Sequence, residues 1–379
     1  MRRFALALIL PISLLAATRI EAQEIDTLAL RGHTKFLADD LLEGRGTGTR
    51  GERLAALYLR SQLTRLGLSG AATDGGYLQP VPLREATIDH AGTSVVVERG
   101  GERVAFRSGE DFVVNTGGRD AFRDFEGEAL FAGTAALAHD ALAGHERLDG
   151  RVIVVLGTLG SEAGTLIPDW IRRGAEGVVS LIPEPERFNV FVRSRGDTRL
   201  YVDADVDDPV WQPQLPTLIA GPRLSAALLA DAALAPDALD GSRTFSALPL
   251  ERHVEASIRT TTRELASANV AAILPGSDPA LRDEVVVYTA HYDHLGIGLP
   301  DARGDSIYNG FSDNAAGTAM LLTIAEALVR EPPALSVVFL FFTGEEKGLL
   351  GSSYYAAEPL IPLERTIAVI NLDAGAPSG

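Results

Sequence analysis

Cysteine is absent from the 379-residue chain, which excludes a disulfide framework, a lipid anchor on cysteine and any thiolate metal ligand. A metal held here must be held by nitrogen and oxygen. Positive charge is scarce: 34 Lys and Arg stand against 51 Asp and Glu, for a formal net charge of -17. Sequence-independent nucleic-acid binding needs clustered Lys and Arg to neutralise phosphates, so that class is excluded, and the acidic surface chiefly serves solubility. A phosphate loop is lacking too. The glycine-rich stretch EGRGTGTRG (Glu43–Gly51) follows a helical pattern rather than a strand and has no Gly-Lys-Ser/Thr ending, so it reads as a connector between helices.

What is present suits a soluble globular protein. Hydrophobic residues make up 46% and charged residues 22%, and the length is sufficient for two domains with their own cores. The apolar run Phe4–Ala17 is short for a bilayer span, follows Arg2 and Arg3, and precedes a polar stretch ending in Ala22. It reads as a secretory signal peptide over residues 1–22, with a retained N-terminal anchor as the alternative. A secreted or periplasmic chain, without stable membrane insertion after cleavage, is the expectation.

Apolar residues recur at helical spacing from Thr27 to Leu68, on both sides of the glycine-rich connector, and residues 23–80 are read as the first part of a catalytic domain. Residues 81–256 change texture to short strands with turn signals. TSVVVERGGERVAF looks like a hairpin about Gly100 and Gly101, and GRVIVVLG and EGVVSLIP look like buried strands on either side of an amphipathic helix. No convergent set of titratable groups occurs there, and His90, His139 and His145 are isolated. This region is read as a non-catalytic, β-rich inserted domain. A stretch rich in Thr, Ser and Arg, Ser257–Ser267, is read as a linker leading into the catalytic segment, residues 257–379.

That last segment carries the chemistry. Three apolar runs, EVVVYTA (Glu284–Ala290), SVVFLFFT (Ser336–Thr343) and TIAVINLDA (Thr366–Ala374), each end in acidic residues or histidine. Buried parallel strands read this way, and open α/β sheets place ligands outside the carboxyl ends of their strands. The first run delivers His291 as an imidazole ligand, with Asp293 placed to accept the proton of its other ring nitrogen. A Gly-bracketed turn, NGFSDNAAG, supplies Asp313, where the bland alternative for Asp313 and Asn314 is helix capping. A carboxylate at such a turn suits a bridge between two cations. The following helix is expected to bury Ala316, Ala319, Met320, Thr323, Ile324 and Ala327. The second run delivers Glu345 and Glu346; Glu346 is read as a ligand and Glu345 as the general base that takes a proton from water, the alternative being two glutamates favoured in a first helical turn. The third run ends in Asp373, an oxygen ligand.

HYDHLG, YNGFSDNAAGTA, FTGEEKGLLGS and INLDAG, in this order, resemble the zinc-dependent aminopeptidase family that includes bacterial leucyl aminopeptidases and the glutamate carboxypeptidases. The resemblance extends to LADDLLEGRGTGTRG and to an inserted protease-associated domain in residues 81–256. It implies a mixed, centrally parallel sheet flanked by helices, two zinc ions and a peptide substrate cleaved at its N-terminal bond. It further implies that His291 and Asp373 hold one zinc, that Glu346 holds the other, that Asp313 bridges them, that Glu345 is the base, and that the peptide bond after Asp313 is cis. The family's second zinc takes a further histidine beyond the residue matching Asp373. None follows here, so an incomplete copy is expected, with His294 and His253 as the nearby histidines. A carboxypeptidase of the same family, a glutaminyl cyclase and a catalytically incomplete peptide-binding protein are the alternatives, and the oligomeric state stays open.

Overall fold

A computed structural model of the chain describes residues 25–115, 122–195, 197–204, 214–232 and 246–373. The signal peptide expected at residues 1–22 lies outside them. No helix among the described residues is long and apolar enough to cross a membrane.

The chain enters through α1 (Thr27–Leu37), capped by the Asp26 carboxylate on the N–H groups of Leu28 and Ala29. The glycine-rich connector then leads to α2 (Arg50–Arg65), capped by Thr49. Three consecutive residues of that connector, Glu43, Gly44 and Arg45, have positive φ, which folds the backbone tightly enough to bring α1 and α2 together. A Cβ on Gly44 would lie 2.5 Å from two backbone oxygens, those of Gly296 and Tyr308, so only glycine fits there. Strands β1 (Ser69–Gly70) and β2 (Leu78–Ile88) follow.

Next come β3 (Ser94–Arg99), β4 (Glu102–Arg107), β5 (Phe112–Asn115), β6 (Phe125–Thr134), α3 (Ala135–Ala141), β7 (Arg151–Leu156), α4 (Ala163–Arg172), β8 (Gly177–Leu181) and α5 (Pro185–Arg195). The segment continues with β9 (Thr198–Val202), β10 (Thr217–Ala220), α6 (Pro222–Leu229) and β11 (Leu248–Ser257). All of these strands except β9 build one eight-stranded sheet in the order β4-β3-β11-β6-β7-β8-β10-β5. Its β3–β4 hairpin turns through Gly100 and Gly101, both with positive φ, the backbone that two-residue hairpin turns prefer. Alternate residues of β7 face opposite ways. Val152 and Val154 join Phe106, Phe112 and Phe131 on one face, while Ile153 and Val155 join Trp170 and Leu166 on the other.

The remaining strands are β12 (Thr260–Leu274), β13 (Val285–His291), β14 (Gly296–Ile297), β15 (Ile307–Tyr308), β16 (Ser336–Phe342) and β17 (Thr366–Asn371), with α7 (Gly317–Arg330) before β16 and α8 (Leu350–Ala357) after it. Strands β12, β13, β16 and β17 join β2 and β9 in a second, mixed sheet in the order β17-β13-β16-β12-β2-β9, in which β17, β13 and β16 are parallel and β12, β2 and β9 antiparallel; β1 pairs with β12, and β14 and β15 form a two-stranded ribbon of their own. Val337, Phe339 and Phe341 of β16 pack with α1, α2 and α7; Val338 and Leu340 face Tyr355 of α8. The three expected apolar runs are thus the three parallel strands, but only the first two are buried: β17 stands at the sheet edge with Ile367, Val369 and Ile370 exposed.

Two expectations change. Ser257–Ser267 is not a linker: most of it is strand, because β12 pairs with β2 from Thr260↔Ile88 to Val270↔Leu78. Its polar residues lie along a largely exposed ribbon, where β-branched Thr is a good strand former. The buried side of α7 is also wider than one stripe. Leu321, Leu322 and Ala325 are buried while Met320 is exposed, since the helix is covered by the sheet on one flank and by α1 and α2 on the other. Strands β2 and β9, drawn from residues 78–88 and 198–202, stand in the sheet of the parallel trio.

Candidate metal centre

The carboxyl ends of β13, β16 and β17 open on one shared cleft, and each strand delivers polar groups there. His291 is the last residue of β13 and is 3% exposed. Its Nε2 is buried with no hydrogen-bond partner, and it faces Asp313 Oδ1 at 3.1 Å and Asp373 Oδ1 at 3.5 Å. The side chains of Asp313 and Asp373 are 51% and 43% exposed. The imidazole therefore forms the floor of the site, and the two carboxylates form its open mouth.

Asp313 reaches this position because the backbone at Phe311–Ala316 departs from helix geometry at Asp313 and Asn314. The Asp313–Asn314 peptide bond is cis, as the family resemblance implied. Asn314 fixes the turn on both sides: its side chain donates to Leu372 O at 2.9 Å and accepts from Gly317 N at 3.1 Å. The helix-capping alternative therefore describes Asn314, leaving the Asp313 carboxylate free to face His291.

Beyond β16, Glu345 and Glu346 point to different partners. Glu346 Oε1 meets His294 Nδ1 at 2.5 Å, and that hydrogen bond holds Glu346 below the usual glutamate range. Burial pushes Glu345 up; His291 opposes this, while Glu346, Asp293 and Asp373 add to it. Burial also pulls the His291 imidazole down, yet Asp293, Glu345 and Asp373 outweigh it and lift its pKa to about 9. So much negative charge around one imidazole calls for a cation at its Nε2.

Two sets of donor atoms converge. His291, Asp313 and Asp373 form one and His294, Asp313 and Glu346 the other, with all ligand atoms of each set within 4.8 Å of one another. Asp313 belongs to both. Tetrahedral zinc with N and O ligands at about 2.0–2.1 Å requires donor separations of about 3.3 Å. The separations of 3.1 and 3.5 Å around His291 Nε2 straddle that value, so the first set fits zinc. The donor types are those that a chain without cysteine must use.

Asp293 is fully buried and lies behind this set, though not as expected. The group nearest His291 Nδ1 is the Asp293 carbonyl at 3.2 Å, with the carboxylate at 3.7 Å. The carboxylate accepts instead from Thr47 Oγ1 at 2.8 Å and from Glu345 N at 3.1 Å. It thereby ties the connector before α2 to the residue read as the base. His294, on the same loop, stands at the site. His253 does not: it lies on β11, beside Glu128 at 3.2 Å. Sequence reasoning gave no role to Arg45, Thr47 or Glu52, all buried around the site. Their signal was an arginine and a glutamate set among the glycines of the connector.

Residues 269–379 match Peptidase family M28, the stretch that holds every donor described above. A probable zinc metalloprotease of Pyricularia oryzae is 36% identical over 90 residues, 24% of this chain and 17% of that relative. An aminopeptidase of Mus musculus is 32% identical over 141 residues, 35% of this chain and 17% of the relative. The solved aminopeptidase from Aneurinibacillus sp. strain AM-1 aligns over 92% of this chain and 70% of its own, with 19% identity and a TM-score of 0.48. The chain spans about a fifth of the length of the curated relatives it matches. The family match covers the last 111 residues, 269–379, and the curated relatives that share it bear the names of zinc metalloproteases and aminopeptidases.

Proposed function

We propose that the chain forms the catalytic centre of a zinc-dependent peptidase that hydrolyses the N-terminal bond of peptides, with two metal positions sharing Asp313. The observation that carries this reading is the pair of convergent donor sets with one carboxylate in common. His291 and Asp373 complete the first position, and His294 and Glu346 the second. Zinc, when bound, supplies Lewis acidity: it polarises a peptide carbonyl and makes water a nucleophile near neutral pH.

The chain's own residues do the rest. Glu345 lines the same cleft as His291 and Asp373, with its proton affinity raised by burial, which suits a group that must take a proton near neutral pH and give it back. It accepts the proton of the attacking water and returns it to the leaving amine. Asp293 holds the Glu345 backbone in place through the N–H it accepts. The exposed faces of Asp313 and Asp373 leave room for the substrate.

The defining test is Glu345→Gln, expected to lower kcat by about 10²- to 10⁴-fold while bound zinc per chain is unchanged. Wild-type turnover in that variant refutes the assigned role. Peptides blocked at either end separate aminopeptidase from carboxypeptidase action: blocking the amino terminus should abolish cleavage and blocking the carboxyl terminus should not. The reading also takes the eight-stranded sheet as a protease-associated insertion, and residues 1–22 as a signal peptide that sends the mature chain out of the cytoplasm. N-terminal sequencing of the exported form, expected to start at Gln23, tests the second point.

A further inference from the structure

We infer that Arg45 is a positioning residue that clamps together the two loops carrying the metal donors, and so sets the affinity of the centre for zinc. This rests on the two-position reading above.

Arg45 is 1% exposed, although it sits in an otherwise glycine-rich connector. Its guanidinium makes no ion pair among the described residues and is spent on backbone carbonyls. Nε donates to Tyr292 O at 2.9 Å, Nη1 to Asn309 O at 2.7 Å and to Leu37 O, and Nη2 to Gly310 O at 3.1 Å. Four of the five N–H donors of a guanidinium are thereby used. Tyr292 lies between His291 and Asp293; Gly310 precedes Asp313 by three residues. The backbone takes part too, because His294 N donates to Arg45 O at 3.1 Å and Gly46 pairs with His294 as an isolated bridge.

One residue thus holds the loop of His291, Asp293 and His294 and the loop of Asp313 at fixed separation. Each donor set takes one member from each of these loops. Any relative slip of the loops therefore moves Asp313 away from both histidines at once. Burying a cation without a carboxylate partner is expensive unless its donors are satisfied, and here the payoff is placement: a planar fork fixes several carbonyls in one geometry, which a lysine ammonium, three donors on one point, does not.

The eight-stranded sheet supplies a control. Arg252 is 3% exposed and also donates to backbone carbonyls, those of Ala227, Leu250 and Ala230, but it holds no metal donor. The experiment measures the zinc dissociation constant of each full-length variant by competition with a chromophoric chelator, alongside the Tm of the metal-free protein. Arg45→Ala is expected to weaken zinc binding about 10- to 100-fold, the usual effect of losing a group that orients metal ligands. Arg252→Ala should lower Tm with zinc affinity within about twofold of wild type. Arg45→Lys keeps the charge and most of the volume, should fold, and should still lose affinity; it decides the matter should Arg45→Ala fail to fold. Added guanidinium ion should restore part of the affinity of Arg45→Ala. Wild-type affinity in Arg45→Lys, or equal losses in the Arg45 and Arg252 variants, overturns the inference. Failure of the wild type itself to bind zinc tightly overturns the two-position reading instead.

Discussion

Glu52, a buried carboxyl behind the site, ties the stability of the fold to pH. It sits in the first turn of α2, 1% exposed, with Oε1 accepting from Ser267 Oγ at 2.8 Å and from Thr343 Oγ1, and Oε2 accepting from Gly48 N at 2.6 Å. Burial raises its pKa from 4.5 to about 7; Thr343, Ser267 and Gly48 oppose the rise, and the nearby Asp293 charge adds to it. A raised acid pKa means that the folded chain keeps a proton which the unfolded chain releases above about pH 4.5. The stability this proton contributes is complete below that pH and is lost as pH climbs through 7. A difference of about 2.5 pKa units is worth about 3 kcal/mol. Glu52→Gln removes the titration, and its amide can give its oxygen to Gly48 N and its NH₂ to the two hydroxyls. Urea melts of the metal-free wild type and variant at pH 5, 6, 7 and 8 should therefore show the variant gaining about 2.5 kcal/mol relative to wild type across that range. A difference independent of pH refutes the reasoning.

Other consequences follow from the same geometry. His294→Ala should lose one of two zinc equivalents by elemental analysis after gel filtration, whereas His253→Ala, far out on β11, should keep both. Phe339→Ala empties a fully buried position between the parallel strands and α1, α2 and α7; a loss of about 3–5 kcal/mol in urea unfolding is expected, and a loss under 1 kcal/mol would mean that this core collapses around the gap.

The parts of the molecule that could be read in the sequence are those governed by local pattern. The runs at Val285–His291 and Ser336–Phe342 are so apolar and β-branched that they had to be buried strands; Thr366–Asn371 is also a strand, but it stands at the sheet edge with Ile367, Val369 and Ile370 exposed. Parallel strands gather their last residues at one end of a sheet. His291, Glu345, Glu346 and Asp373 were singled out for that reason, and Asp313 for its Gly-bracketed turn. Pairing between distant segments was less legible. Polar Ser257–Ser267 gave no sign that most of it would lie against β2, because a ribbon exposed on both faces shows no apolar alternation. Arg45 and Glu52 were hidden by their surroundings: a glycine-rich connector looks like slack chain until its positive-φ backbone brings it under the metal loops. His294 looked no better placed than His253, since only the fold turns one toward Glu346 and the other toward Glu128.

The sharing of Asp313 by two metal positions is the core of the account, and zinc content tests it most directly. The wild-type chain is expected to retain two tightly held zinc ions per polypeptide after gel filtration, and Asp313→Ala, which removes a donor from both sets, is expected to retain none. A wild type without tight zinc, or an Asp313→Ala variant that still holds both ions, would contradict it.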